Sequence, residues 1–311
     1  MSADIRTAVI GVGYLGRFHA QKYARIPGSR LVGVVDSREP IRQAVAAELD
    51  TRALADHREL LGEVDAVSIV TPTPAHFSIA REFLEAGAHV LVEKPVTETV
   101  EQARELIEVA RQHGRLLQVG HLERFNAAVL AAETYLAEPR FIECQRLAPF
   151  KERGTDVNVV LDLMIHDIDI VQSIVGAPIE TIDAVGTPVF SGAVDIANAR
   201  LRFTNGCVAN VTASRVSLKT ERKLRVFRDD TYVSIDLQQK ILTVIRKRPA
   251  AAGADELPTT IEEQNFEQGD ALQAEIVSFL DCIRSGRRPV VDGEDGLRAL
   301  ETAIRITQQL G

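Results

Sequence analysis

Two stretches of this 311-residue chain hold side chains that can move protons. One is Glu93-Lys94-Pro95, directly after the apolar run 88–92. A lysine after a strand is usually a solvated cap. Here a second polar loop, Thr71-Pro72-Thr73-Pro74-Ala75-His76, ends the apolar run 65–70, and ligands of open α/β sheets bind at such strand ends. The other stretch is Asp162-Leu163-Met164-Ile165-His166-Asp167-Ile168-Asp169. On a helix, Asp162 and His166 are four apart and His166 and Asp169 three, so all three share a face. A carboxylate beside an imidazole fixes its tautomer and favours its protonated form, which suits proton exchange with a substrate hydroxyl near neutral pH. The same pattern also describes a capped, structural histidine. No further ligand cluster accompanies the His and two Asp, and no metal is expected.

Something must position these groups and accept what they release. The run Thr7 to Ile10 flows into Gly11-Val12-Gly13-Tyr14-Leu15-Gly16, and the next apolar run, Leu31 to Val35, ends on Asp36-Ser37-Arg38. In a strand-turn-helix unit the first glycine permits the tight turn, the second admits a pyrophosphate and the third lets helix pack on strand. The helix N-terminus then faces the phosphates. Asp36, 20 residues after Gly16, is the expected ribose acceptor and would repel the 2′-phosphate of NADP. NAD is the expected cofactor, with Arg38 the one feature that favours NADP. Gly11, Gly13, Tyr14, Leu15, Gly16, Asp36, Ser37 and Arg38 would hold its adenosine and pyrophosphate. Thr71, Pro72, Thr73, His76, Glu93 and Lys94 would border the nicotinamide half. Arg124 is expected at the cofactor and Asn126 at the substrate.

Strand and helix patterns alternate through the first 120 residues, which predicts a parallel, doubly wound sheet. After Gly120 strand-like runs follow one another with only turns between, Asn205-Gly206 being a strong hairpin signal. A helix over 157–174 precedes most of them, and two helices, 269–283 and 295–309, close the chain. The expected fold is α/β: a dinucleotide-binding domain over 1–120, then an α+β domain over 121–311 with a large, mainly antiparallel open sheet, and 249–265 as a surface loop. A net charge of −8 disfavours nucleic-acid binding. No run approaches the roughly 20 apolar residues that span a bilayer, and Met1-Ser2-Ala3-Asp4 enters a strand without a signal peptide's apolar stretch, so a cytoplasmic protein without membrane insertion is expected. Cys144, Cys207 and Cys282 are widely spaced and expected as free thiols.

In this order and spacing, Gly11 to Gly16, the Thr71 to His76 loop, Glu93-Lys94-Pro95 and the Asp162/His166/Asp169 helix resemble the Gfo/Idh/MocA oxidoreductases, glucose-fructose oxidoreductase and inositol dehydrogenase among them. The resemblance covers nearly the whole chain and implies that Lys94, Asp162 and His166 line a sugar site. Asp156-Val157-Asn158-Val159-Val160 stands where that family often has a glycine run. Within the family, Val119-Gly120-His121-Leu122-Glu123-Arg124-Phe125-Asn126 and 156–167 look most like nucleotide-sugar members. That likeness implies oxidation of the 3-hydroxyl of UDP-N-acetylglucosamine, giving a 3-keto sugar for an aminotransferase in lipid A precursor synthesis. The uronic acid of the same sugar nucleotide, a free sugar or inositol, and a non-enzymatic NAD-binding sensor are the alternatives. A diphosphate substrate calls for cations, for which Lys151, Arg153 and Arg215 are candidates, followed by Arg146, Lys219 and Arg222. The family also implies a homodimer or homotetramer through the C-terminal sheet.

Overall fold

A computed structural model describes residues 4–151, 157–248, 259–266 and 268–310. The chain divides into two compact units, Met1–Leu122 with Ala271–Leu297, and Glu123–Asp270 with Arg298–Gly311. The division departs from the expectation that everything beyond residue 120 forms one domain. Ile276, Phe279 and Leu280 pack in the core of the first unit against Val9, Tyr23, Val34 and Leu91, which takes a late helix back to the N-terminal half.

In the first unit β1 (Ile5–Ile10), β2 (Ser29–Val35), β3 (Arg52–Leu54), β4 (Ala66–Ile69), β5 (His89–Glu93) and β6 (Leu117–Gly120) form one parallel sheet in the order β3-β2-β1-β4-β5-β6. Strands buried on both faces must be apolar throughout, and Ala8, Val9, Ile10, Val67 and Ile69 are all buried. Helices α1 (Tyr14–Arg25), α2 (Glu39–Leu49), α3 (His76–Glu85) and α4 (Val100–Gln112) make the crossovers. Thr99 and Gln102 cap α4 reciprocally. The strand order reverses between β1 and β4, where a doubly wound sheet opens its ligand crevice. The three-residue edge strand β3 has too short a pattern to be read from sequence.

The second unit is built on β7 (Phe141–Leu147), β8 (Ile179–Thr187), β9 (Ile196–Phe203), β10 (Val208–Ser214), β11 (Glu221–Phe227), β12 (Thr231–Asp236), β13 (Ile241–Lys247) and β14 (Thr259–Asn265). Their order is β14-β13-β12-β11-β7-β10-β9-β8. Two features correct the simple meander. β7 is inserted at the centre and runs parallel to β10, and β14 replaces part of the surface loop expected over 249–265. Period-two alternation puts Ile142, Val226, Val233 and Val244 in one registered row of the core. Helices α5 (Ala127–Ala132) and α6 (Ile165–Val175) belong to this unit, and α6 ends on the left-handed Gly176. Helix α7 (Ala271–Ser285) belongs to the first unit, and α8 (Gly293–Thr307) contributes residues to both. All three cysteines are buried and free.

Candidate active site

The glycine turn after β1 is shaped for a close ligand. Gly11 has a φ of +87°, and a Cβ there would meet the Val70 carbonyl oxygen at 2.7 Å. A Cβ on Gly16 would stand 1.8 Å from the Gly11 carbonyl oxygen, so α1 can approach β1 only as glycine. Gly13 is the N-cap of α1, gives it no side-chain cap, and no acid sits in the first turn. The orphan amides of that turn are therefore open to an anion. Tyr14 is 73% exposed and packs edge-on against Phe18. Asp36, at the end of β2, accepts from the Arg38 amide and Nε at 3.0 Å and from its Nη2 at 3.2 Å. Burial raises the Asp36 carboxyl, but these bonds outweigh it and hold the group below its ordinary range. Thr71 Oγ1 is a buried hydroxyl beside Gly11 with no hydrogen-bond partner among the described residues. An open helix terminus, an acid at the end of β2 and an orphaned hydroxyl at the switch point fit a dinucleotide.

Lys94 follows β5 in the same unit, half-buried, and its peptide bond to Pro95 is cis. The loops after β4 and β5 are tied together by His76, whose Nδ1 lies 2.9 Å from the Pro95 carbonyl oxygen and whose Nε2 lies 2.8 Å from that of Thr71. Burial lowers the His76 pKa, and the two carbonyls, which favour the protonated ring, only partly offset it. Both ring nitrogens thus face backbone, which makes His76 a tie between the two loops. Beneath them His19 reaches Glu93, a contact that sequence reasoning missed. The signal was present: Gly16, His19, Ala20 and Tyr23 recur at three and four residues on the buried face of α1.

In the second unit Val160–Met164 forms a π turn that leads into α6. Asn158 starts it, accepting from the Leu161 amide at 3.0 Å through its side chain and from the Asp162 amide at 3.1 Å through its carbonyl. Asn158 thus supplies the helix entry. Asp162 and His166 are half-buried, whereas Asp169 is buried with Oδ1 3.5 Å from Arg124 Nη1. Burial pushes the Asp169 carboxyl up to about 7 despite Arg124. The expected three-residue face therefore splits: Asp162 sits in the wide turn, and Asp169 turns inward toward Arg124. The same pair gives Arg124 a structural task within its unit. Next to His166, Asp167 takes Arg146 by two bonds of 2.8 and 2.9 Å, and Arg146 also reaches Glu123 at 3.0 Å. Burial opposes the charge on Arg146, but the two acids outweigh it and raise its pKa.

Several expected cations and polar contacts are spent on the fold. Arg215 is 5% exposed and donates to Asp195 at 2.7 Å, the Val157 carbonyl at 2.6 Å and Ser191 at 3.2 Å. Asn126 caps α5 through the Ala128 amide and donates to the Leu237 carbonyl at 2.9 Å. Arg146 is buried as above. Neither Arg215 nor Asn126 nor Arg146 presents itself to a ligand, because a buried guanidinium or amide must satisfy its hydrogen bonds inside the protein. Lys151 is exposed, Lys219 is exposed beside Glu221, and Arg222 is exposed at 45% with Nη1 3.5 Å from Glu123. Arg153 lies outside the described residues.

Comparison with known proteins adds independent findings. Residues 5–121 match the oxidoreductase family with an NAD-binding Rossmann fold, and residues 127–233 match the GFO/IDH/MocA C-terminal domain. The chain is 42% identical over 97% of its length, and 96% of the relative's, to a UDP-N-acetylglucosamine 3-dehydrogenase from Acidithiobacillus ferrooxidans. It is 29% identical over 99% of its length to a Bacillus subtilis scyllo-inositol 2-dehydrogenase (NAD(+)), of which it covers 94%. A solved structure of the Acidithiobacillus enzyme superposes with a TM-score of 0.92 at 41% identity, covering 99% of this chain and 98% of that one. Scyllo-inositol dehydrogenase from Lactobacillus casei, solved with NAD(H) and scyllo-inositol, shares the fold at TM-score 0.83 and 21% identity, covering 99% of this chain and 97% of that one. The glycine cradle, Asp36 and the two matched domains together make this chain a member of the GFO/IDH/MocA family of NAD-binding oxidoreductases.

Proposed function

We propose that the protein oxidises the C3 hydroxyl of UDP-N-acetylglucosamine to the 3-keto sugar nucleotide with NAD. The observation that carries this reading is the 42% identity over 97% of the chain to an enzyme of that activity. The amides of Gly13, Tyr14 and Leu15 would hold the cofactor pyrophosphate and Asp36 its ribose hydroxyls. Bound NAD supplies the hydride acceptor. The chain's own residues must orient the sugar and move one proton. His166, steadied by Asp162, takes the C3 hydroxyl proton, and Lys94 polarises the oxygen as negative charge grows on it. Of the expected cations, Lys151, Lys219 and Arg222 are exposed and would meet the diphosphate, with Arg153 a further candidate.

The 3-keto product suits an aminotransferase, and we propose that the reaction serves lipid A precursor synthesis in the cytoplasm. Among the described residues no helix is long and apolar enough to cross a membrane. The test is NADH formation with UDP-N-acetylglucosamine, its uronic acid, free N-acetylglucosamine and myo-inositol. UDP-N-acetylglucosamine is expected to react best. Turnover of only the unphosphorylated sugars would overturn the nucleotide-sugar reading, and NAD-dependent thermal stabilisation without turnover of any would make the protein a sensor. In single-turnover measurements Lys94→Met and His166→Asn should each slow hydride transfer by about 100-fold or more. Near-wild-type rates in both would sink the assignment of these residues.

A further inference from the structure

Two hydrogen-bonded bridges run from the end of β4 to the turn after β5, one on each side of Lys94. In the first, Tyr23 Oη lies 2.9 Å from Ser68 Oγ, Ser68 Oγ lies 3.2 Å from His19 Nδ1, and His19 Nε2 lies 3.2 Å from Glu93 Oε1. A carboxylate can only accept, so one proton order satisfies the series: Tyr23 donates to Ser68, Ser68 to His19, and His19 to Glu93. In the second, His76 spans the Thr71 and Pro95 carbonyls at 2.8 and 2.9 Å. His19 and His76 are 0% and 1% exposed, so neither ring has water as a substitute partner. The buried Glu275 of α7, whose two carboxylate oxygens have no hydrogen-bond partner among the described residues, repels Glu93. Burial, with the Glu93 charge adding to it, raises the Glu275 carboxyl well above its ordinary range, and His19 reaches Glu93 at 3.2 Å.

Glu93 and Pro95 are the chain neighbours of Lys94. Holding one by its side chain and the other by its carbonyl removes most of the freedom of the residue between them. We propose that His19 and His76 are a pair of positioning residues that fix the Lys94 backbone for hydride transfer, His19 through the Glu93 carboxylate and His76 through the Pro95 carbonyl. The proposal rests on Lys94 acting at the substrate. Misplacement of a reacting group by about 1 Å costs on the order of 100-fold in rate, so these buried rings matter to turnover without touching substrate.

The test compares Ser68→Ala, His19→Gln and His76→Gln, alone and combined with Lys94→Met. Three quantities are read: single-turnover NADH formation with whichever sugar reacts, NADH affinity, and hydrogen exchange of the Lys94 and Val96 amides in the cofactor-free protein. Ser68→Ala cuts the first bridge one link away from the turn and keeps both histidines, so it serves if the glutamine variants fail to fold. Expected are rates lowered by about 10-fold or more, NADH affinity within about threefold of wild type, and amide exchange faster by about 10-fold. Combined with Lys94→Met the same changes should cost no further rate, because the group they position is already gone. Wild-type rates in folded single variants, rate losses that add to that of Lys94→Met, or unchanged exchange would overturn the proposal. A wild-type rate for Lys94→Met alone would instead overturn the reading of Lys94, and the catalytic purpose of the bridges with it.

Discussion

At Asp36 one carboxylate serves two ends, since the group that would accept ribose hydroxyls already holds the Arg38 guanidinium by two bonds. Removing it frees a cation and ends the repulsion of a 2′-phosphate. Asp36→Ser should lower kcat/KM with NAD and raise it with NADP, each by about 10-fold, a shift of about 1.4 kcal/mol either way. An unchanged ratio of the two kcat/KM values would show that Arg38 does not reach that phosphate. Asp169 gives a prediction on stability. Its carboxyl titrates near 7 in the folded chain against an ordinary 3.8, so the folded state holds a proton that the unfolded state has lost. The stability from this proton is complete below about pH 4 and is lost as pH rises through 7, each pKa unit being worth about 1.4 kcal/mol. Denaturant unfolding at pH 5 and pH 8 should show a smaller difference in Asp169→Asn than in wild type. Gly11, Gly16 and Asp36 were legible in the sequence because a turn, a helix start and a strand end are local events. The fate of Arg215 was not, because its partner Asp195 lies 20 residues away and meets it only through packing.

At the scale of elements, the Asp195–Arg215 pair closes the 189–195 loop onto the start of the helical segment. Asp195 accepts from the amides of Val189, Phe190 and Ser191 at 2.7 to 2.9 Å, and Arg215 carries the tie on to Val157. These bonds outweigh burial and hold the Asp195 carboxyl well below its ordinary value. Arg215→Met would leave that acid buried and short of its countercharge, at a cost of about 3–5 kcal/mol in urea unfolding. Binding of the proposed sugar nucleotide should change little in the folded fraction, and a loss of affinity without a loss of stability would return Arg215 to the substrate site. The helix over 157–174 was readable from its apolar spacing, but its first turn is wider than α, and Asn158 sets that entry. Alternation marked β7 as a strand. It could not show that β7 lies between β10 and β11 and runs parallel to one of them, since pairing partners are chosen across long loops.

For the whole molecule, the eight-stranded sheet buries one face and leaves the other open. On the open face Phe141, Phe227, Tyr232, Ile245 and Ile261 form one registered row, with ring centroids 5.6 Å apart for Phe141 and Phe227 and 5.1 Å for Phe227 and Tyr232. Ile261 at its end is 68% exposed. We propose that this row pairs subunits into a homodimer or homotetramer, since an apolar stripe across five strands is costly to leave in water. Phe227→Glu should shift the species seen by mass photometry toward monomer, and a wild-type mass distribution would direct the search to another surface. The sequence by itself determined the class of fold, the cofactor cradle and the order of the reactive motifs, because periodicity and glycine spacing act over a few residues. Tertiary structure alone decided which charged side chains are spent inside the protein and which remain for a ligand. A buried charge must find its partner wherever packing brings one, as Arg146 finds Glu123 and Asp167, and no local pattern encodes that meeting.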